Sequence, residues 1–238
     1  MPAYNEESRI GESLGKIKTY LEGGDFDFEI IVVDDGSRDG TSRIVTDAAS
    51  ADSRIRLLRN ESNKGKGYSV RRGVLESAGD LVLFSDADLS TPIDELDGLL
   101  RSVGDFDIVI ASRSLPDSQV VIHQPFYREF MGKIFNLFVQ MMLVRGIIDT
   151  QCGFKLMTRK AADTVFRSAR IDSFSFDVEM ILIARRCGLG VKDMPVRWID
   201  SRASKVHPVR DSAHMLLDLF RIKLYDILGL YKRQVERE

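Results

Sequence analysis

The sequence predicts an α/β fold, with a mostly parallel, Rossmann-like sheet flanked by helices. Three observations carry that expectation. Apolar runs rich in β-branched residues begin at residues 28, 55, 81 and 107, a near-constant spacing of one strand–helix unit. Helix-like patterns lie between them. Two of the runs end in paired aspartates, at the carboxyl ends of strands where open α/β sheets bind ligands.

The elements follow in order. Ile10, Leu14, Ile17 and Leu21 share one helical face. "FEIIVV" (28–33), "IRLL" (55–58), "LVLFS" (81–85) and "DIVIAS" (107–112) read as buried strands. Crossovers of this length imply right-handed βαβ units. Thr91 and Pro92 read as the N-cap and first residue of a helix. The second half is different. A long helix is expected over about 126–145, a short strand at "GFKLMT" (153–158) and a helix over about 176–187. One strand at "VKDMPVRWI" (191–199) and an amphipathic helix over about 211–231 close the chain. No repeat, linker or low-complexity segment interrupts it. The expected organisation is one domain over 1–238, with a nucleotide-binding half (1–115) and an acceptor-binding half (116–238).

Composition narrows the class. The 238 residues are 44 % apolar and 29 % charged, with a net charge of −2. That suits a folded domain and gives no overall basic field for nucleic acid. Cys152 and Cys187 have no metal or redox spacing and read as reduced packing residues in a cytosolic setting. The N-terminus is polar by residue 4, so no signal peptide is expected. No uninterrupted apolar stretch reaches the roughly 18 residues of a membrane span. Two segments approach it, Ile134–Ile148 and Ala213–Tyr231, but charges interrupt both. They read either as ordinary packing helices or as helices lying in a membrane interface.

The aspartates carry the chemistry. Asp34 and Asp35 follow "IIVV", and Asp86 and Asp88 follow "LVLFS". Like charges this close repel unless cations or donor groups satisfy them. In an extended Asp-x-Asp, residues i and i+2 point to one side. Two hard oxygen ligands then converge, which suits Mg²⁺ or Mn²⁺ held partly by substrate phosphates. The bland reading makes both pairs turn caps. "NKGKGYSVRRG" (63–73) sets Lys64 and Lys66 among glycines that allow close backbone approach to a diphosphate, whereas Arg71 and Arg72 read as a solvated helix start.

Taken together, "PAYNEE" (2–7), "VVDDGSRDGT" (32–41), "NKGKG" (63–67), "SDADLSTP" (85–92) and "ASR" (111–113), in that order, resemble the family 2 glycosyltransferases of the GT-A fold. "DTQCGFKLM" (149–157), "FSFDVEM" (174–180) and "SKV" (204–206) narrow the resemblance to the dolichyl-phosphate β-glucosyltransferase branch, near the polyprenyl-phosphate mannosyltransferases. It extends from Pro2 to about Lys223. The resemblance implies a nucleotide-sugar donor, a divalent metal and a polyprenyl phosphate acceptor. It implies a protein at the cytoplasmic face of a membrane, and UDP-glucose as donor.

Carried over by position, Pro2, Tyr4 and Glu6 would line the nucleotide pocket with Asp34 or Asp35. Asp86, Ala87 and Asp88 would hold the diphosphate and its metal, and Arg113 would approach the sugar phosphate. Arg128, Lys133, Lys155, Arg202 and Lys205 are the candidate cations for the acceptor phosphate. For a sugar-hydroxyl acceptor Asp177 or Glu179 would be a credible base; a phosphate dianion needs none, and the pair is then expected to serve positioning or a salt bridge to an acceptor-side cation. Asp88, Asp177 and Arg113 form the expected catalytic set.

Three departures matter. Relatives place an apolar strand before "PAYNEE", whereas this sequence opens at Met1, which would leave sheet backbone groups unpaired. Ser90 stands where mannosyl relatives carry glutamine, which favours the glucosyl branch. Ile199 stands where they carry arginine, a place Arg197 or Arg202 could fill. GDP-mannose-dependent transfer to the lipid, transfer of glucose to another acceptor, a silent binding subunit and a nucleotidyltransferase are the alternatives.

Overall fold

The computed structural model describes residues 1–122, 126–200 and 208–231, with helix side chains described from 131 and from 212 onward in the two long helices. In chain order the elements are β1 (Pro2–Ala3), α1 (Ile10–Gly23), β2 (Ile30–Asp34), α2 (Thr41–Ala51), β3 (Ile55–Arg59), α3 (Lys66–Leu75) and β4 (Leu81–Ser85). A 3₁₀ turn at Ile93–Glu95 leads into α4 (Leu96–Leu100), followed by β5 (Ile108–Ser112), β6 (Gln119–Ile122) and α5 (Phe126–Met142). Then come β7 (Phe154–Thr158), α6 (Arg159–Ser168), α7 (Phe176–Arg186), β8 (Val191–Pro195), β9 (Arg197–Ile199) and α8 (Pro208–Ile227).

The four spaced apolar runs are β2, β3, β4 and β5, as expected. Strands β1, β2 and β3 form one parallel sheet. Here β1 covers only the end of β2, with Pro2 opposite Val33 and Ala3 opposite Asp34. A second sheet has the order β4-β7-β5-β8. In it β7 runs antiparallel to both β4 and β5, so this half is less parallel than the spacing implies. The small β6–β9 pair completes the strands.

Two apolar clusters flank the sheets. One joins α1, α2 and α4 with Val32, Val109, Phe154 and Trp198. The other joins α3, α5, α6, α7 and α8 with Phe84, Ile108, Ile110 and Met157. Truncating one of these fully buried side chains to alanine costs roughly 2–5 kcal/mol.

Local chemistry explains the differences from expectation. The stretch 191–199 is two strands, because Pro195 has no N–H to continue a ladder and the chain leaves β5 for β6. Thr91 does not cap a helix. Its hydroxyl lies 3.5 Å from the Cys152 thiol, and Pro92 takes the cap position. Helix α6 was not foreseen, though Thr158 caps it by accepting from Ala161 N. Among the described residues, no helix is long and apolar enough to cross a membrane.

Candidate active site

The acidic pair after β2 is locked by the protein's own donors. Ser37 N and the Ser42 hydroxyl donate to Asp34, which is fully buried, and Arg59 lies 3.6 Å away. Asn60 Nδ2, Lys64 N and Gly65 N donate to Asp35 at 2.7, 2.8 and 2.9 Å. The "PAYNEE" turn is sewn onto the same loop. Asn5 N donates to Ser37 Oγ, Glu6 N to Thr41 Oγ1 and Arg38 N to Asn5 Oδ1. Asn5 sits at φ 53°, a left-handed position that asparagine tolerates.

The glycines of "NKGKG" serve the same packing. A Cβ on Gly65 would fall 2.3 Å from Asp172 O, and one on Gly67 would fall 2.4 Å from Ile171 O. Their missing side chains admit the 171–173 backbone, where a diphosphate cradle was expected. Arg71 pairs with Asp172, and Arg72 donates to Arg59 O and Asn60 Oδ1, so both serve packing.

The acidic pair after β4 is held differently. Asp86, Ala87 and Asp88 do not continue the strand: Leu89 N donates to Asp86 O, closing a turn, and Leu89 has φ 47°. The turn, rather than an extended backbone, sets the two carboxylates near each other. Lys66 Nζ lies 2.8 Å from Asp86 Oδ1, and Arg9 Nη1 lies 3.9 Å from Asp88 Oδ2. Ser90 N donates to Asp88. Burial, helped by the charge of Asp86, raises the Asp88 carboxyl above the ordinary range. Burial opposes the Lys66 ammonium, but the charges of Asp86 and Asp177 outweigh it and raise its pKa.

Asp86 is also fixed from behind. Its N–H donates to Gly153 O, and a Cβ on Gly153 would fall 1.9 Å from Asp86 Oδ2. Only glycine admits the carboxylate in that orientation. A small cleft beside it is lined by Asp86, Leu89, Ser90, Thr91, Gly153 and Trp198.

Arg113 follows β5. It makes a bidentate pair with buried Asp149 at 2.7 and 2.8 Å, and its guanidinium lies 5.2 Å from the Trp198 ring centre. Burial opposes its charge, but Asp149 overrides that and raises its pKa. Burial pushes the Cys152 thiol up to about 11, in keeping with a packing role.

Several expected residues come together here: Glu6, Lys66, Asp86, Ala87, Asp88 and Arg113. Pro2 forms β1, and Tyr4 lies in the turn after it. Lys64 contributes its backbone N–H to Asp35, with its side chain exposed. Lys155, expected on the acceptor side, is instead fully buried and paired with Asp177, itself 2 % exposed. Burial pulls the Asp177 carboxyl up, against the lysines facing it. Lys133 is exposed on α5. The Arg128 side chain, Arg202 and Lys205 lie outside the described residues. Sequence reasoning missed Arg9, which also grips Glu6, and Asp149. The signal for Asp149 was its place at the head of "DTQCGFKLM".

A divalent cation fits this chemistry. Two carboxylates share one turn, one of them reluctant to ionise without a positive neighbour. Among the described residues no three His, Cys, Asp or Glu side chains converge on one point. Mg²⁺ and Mn²⁺ need only one or two carboxylates when phosphates complete the shell.

Comparisons with known proteins agree with the geometry. Residues 1–166 match Glycosyl transferase family 2. A dolichyl-phosphate beta-glucosyltransferase of Dictyostelium discoideum is 37 % identical, over 98 % of this chain and 75 % of that protein. One from Trichomonas vaginalis is 38 % identical, over 97 % of this chain and 72 % of that protein. Glucosyl-3-phosphoglycerate synthase of Mycobacterium tuberculosis, crystallised with Mn²⁺ and UDP-glucose, superposes with a TM-score of 0.65 at 19 % identity. That superposition covers 96 % of this chain and 77 % of the synthase, and shows the GT-A fold. By sequence and architecture, then, the chain belongs to glycosyl transferase family 2 and to the branch that holds the dolichyl-phosphate beta-glucosyltransferases.

Proposed function

We propose that this glycosyltransferase moves glucose from UDP-glucose to a polyprenyl phosphate of the dolichyl type, with inversion at the anomeric carbon. The observation that carries the reading is the half-buried Asp86–Asp88 turn, with Lys66 paired to Asp86 and Arg9 facing Asp88. The names of the relatives support glucose and a dolichyl-type lipid. The UDP-glucose complex of a protein of the same fold supports the nucleotide.

Asp86 and Asp88 would hold Mg²⁺ or Mn²⁺, whose chemistry is to stabilise charge on the departing diphosphate. Lys66 and Arg9 lie where cations complement the same charge. The Glu6 turn and the 34–41 loop, bonded to each other, shape the nucleotide end of the pocket. Arg113, fixed by Asp149 and lying against the Trp198 ring, would approach the sugar phosphate. The lipid phosphate is largely dianionic at neutral pH and attacks without a general base. Within this reading 1–115 serves the donor and 116–238 the acceptor.

The lipid also needs a surface. Leu137 and Met141 on α5, with Leu217, Phe220 and Leu224 on α8, are all more than half exposed, and the two helices pack together. This face would seat in the membrane interface and present the site to the lipid phosphate, giving a peripheral protein at the cytoplasmic face.

The test is transfer from UDP-glucose against GDP-mannose, with Mn²⁺ or Mg²⁺ and a short polyprenyl phosphate. The expected result is glucose transfer that needs both metal and lipid phosphate. Transfer from GDP-mannose alone would overturn the donor assignment. Co-sedimentation with polyprenyl-phosphate liposomes checks the membrane face.

A further inference from the structure

We propose that Asp177 and Lys155 are positioning residues, which hold Asp86 in the orientation that the donor's cation requires. Neither then acts as a base or touches the lipid phosphate. This rests on the functional reading above and adds two residues to its machinery.

Three observations carry it. First, both groups are inside the protein: Lys155 is 0 % exposed and Asp177 2 %. An acceptor phosphate cannot reach Lys155 where it lies, and Asp177 is spent on holding it. Second, the Lys155 ammonium makes a second bond, donating to Cys152 O at 2.5 Å. The next residue, Gly153, accepts from Asp86 N at 2.9 Å and presses its bare Cα against the Asp86 carboxylate. The pull of Asp177 on Lys155 therefore reaches Asp86 through two residues of backbone. Third, Lys66 and Lys155 lie over the same ring, each 5.4 Å from the Phe84 centroid. Lys66 pairs with Asp86 and Lys155 with Asp177. Without the charge of Asp177, two ammonium groups on one phenyl ring share a single carboxylate. That carboxylate is the one the cation needs.

The geometry also separates Asp177 from Glu179, two residues along α7. The Glu179 carboxylate accepts from Arg170 N, Ile171 N and the Tyr231 hydroxyl. It fastens the 170–171 backbone and Tyr231, just after α8.

The test is calorimetric titration of UDP, with and without Mn²⁺, into the wild type, Asp177→Asn, Lys155→Met and the double variant Lys155→Met/Asp177→Asn. The double variant removes both charges at similar volume and keeps the core neutral, so it guards against loss of fold. Supporting partners of metal ligands typically contribute about 10–100-fold to metal affinity. The expected result is a loss of about ten-fold in Mn²⁺-dependent UDP affinity in all three variants. Mn²⁺-free affinity stays unchanged, and the pH profile of kcat keeps its shape. The proposal is overturned by unchanged UDP affinity in Asp177→Asn with collapse of kcat and loss of its acid limb, which marks a base. It is also overturned by equal losses with and without Mn²⁺, which mark general distortion, or by wild-type affinity in the double variant. Mn²⁺ alone, followed through its free-ion paramagnetic signal, gives the same comparison without nucleotide. A wild type that binds Mn²⁺ but not UDP would sink the donor assignment while leaving the role of Asp177 open to this readout.

Discussion

Two strands end in paired aspartates, and the two pairs are satisfied in opposite ways. Asp34 and Asp35 accept from fixed donors: backbone N–H groups, the Ser42 hydroxyl and the Asn60 amide. Asp86 and Asp88 face the ends of long cationic side chains, Lys66 and Arg9, with one backbone donor at Ser90. A fixed donor ties two chain segments together and cannot be exchanged without unfolding them. A flexible cation can yield its carboxylate to another cation. The first pair therefore ties the loop after β2 together, and the second is left able to exchange its partners.

That contrast predicts opposite phenotypes. The largest effect on activity is expected from Asp88→Asn or Asp86→Asn, with transfer falling about a thousand-fold or more as the carboxylate is lost. Stability should hold or rise. The folded state raises the Asp88 pKa, so it favours the protonated form. Any stability from that preference is present at low pH and is lost as pH rises through the raised value. Asparagine removes the cost of ionisation at neutral pH. By the same sign, Mn²⁺-dependent nucleotide binding should weaken on acidification at a higher pH than an ordinary carboxylate of about 3.9 would give. Titration of binding and thermal melts against pH check both.

Asp35→Ala should do the reverse and lower stability by about 3 kcal/mol, because Lys64 N, Gly65 N and Asn60 lose their shared acceptor. Denaturant unfolding reads it out. Two glycines sharpen the comparison. Gly153→Ala places a methyl on the Asp86 carboxylate and should cut activity more than ten-fold with a smaller loss of stability. Gly36→Ala, at φ 74° and with its Cβ 2.7 Å from Ser62 backbone, should cost about 1–3 kcal/mol of stability. The smallest effect is expected from Lys66→Met, a rise of about ten-fold in KM for the donor with little change in melting temperature.

What was legible in the sequence divides along the same line. The regular strand spacing revealed the strands of the first half, β2 to β5, because local periodicity carries that information. The direction of β7 was hidden, since its antiparallel pairing with β4 and β5 depends on contacts with residues far away in the chain. The fate of Lys155 was hidden for the same reason: a lysine in a strand reads as exposed until Asp177, on another element, is seen to meet it. The glycines of "NKGKG" looked like room for a ligand, yet the 171–173 backbone occupies that room. Arg9 and Asp149 were visible as letters, but their partners Asp88 and Arg113 become neighbours only through folding.

The most direct measurement follows the paramagnetic signal of free Mn²⁺ during titration with protein in the presence of UDP-glucose. The wild type should quench the signal stoichiometrically, and Asp86→Asn/Asp88→Asn should leave it intact while melting at or above the wild-type temperature. Equal quenching by the double variant would contradict the account.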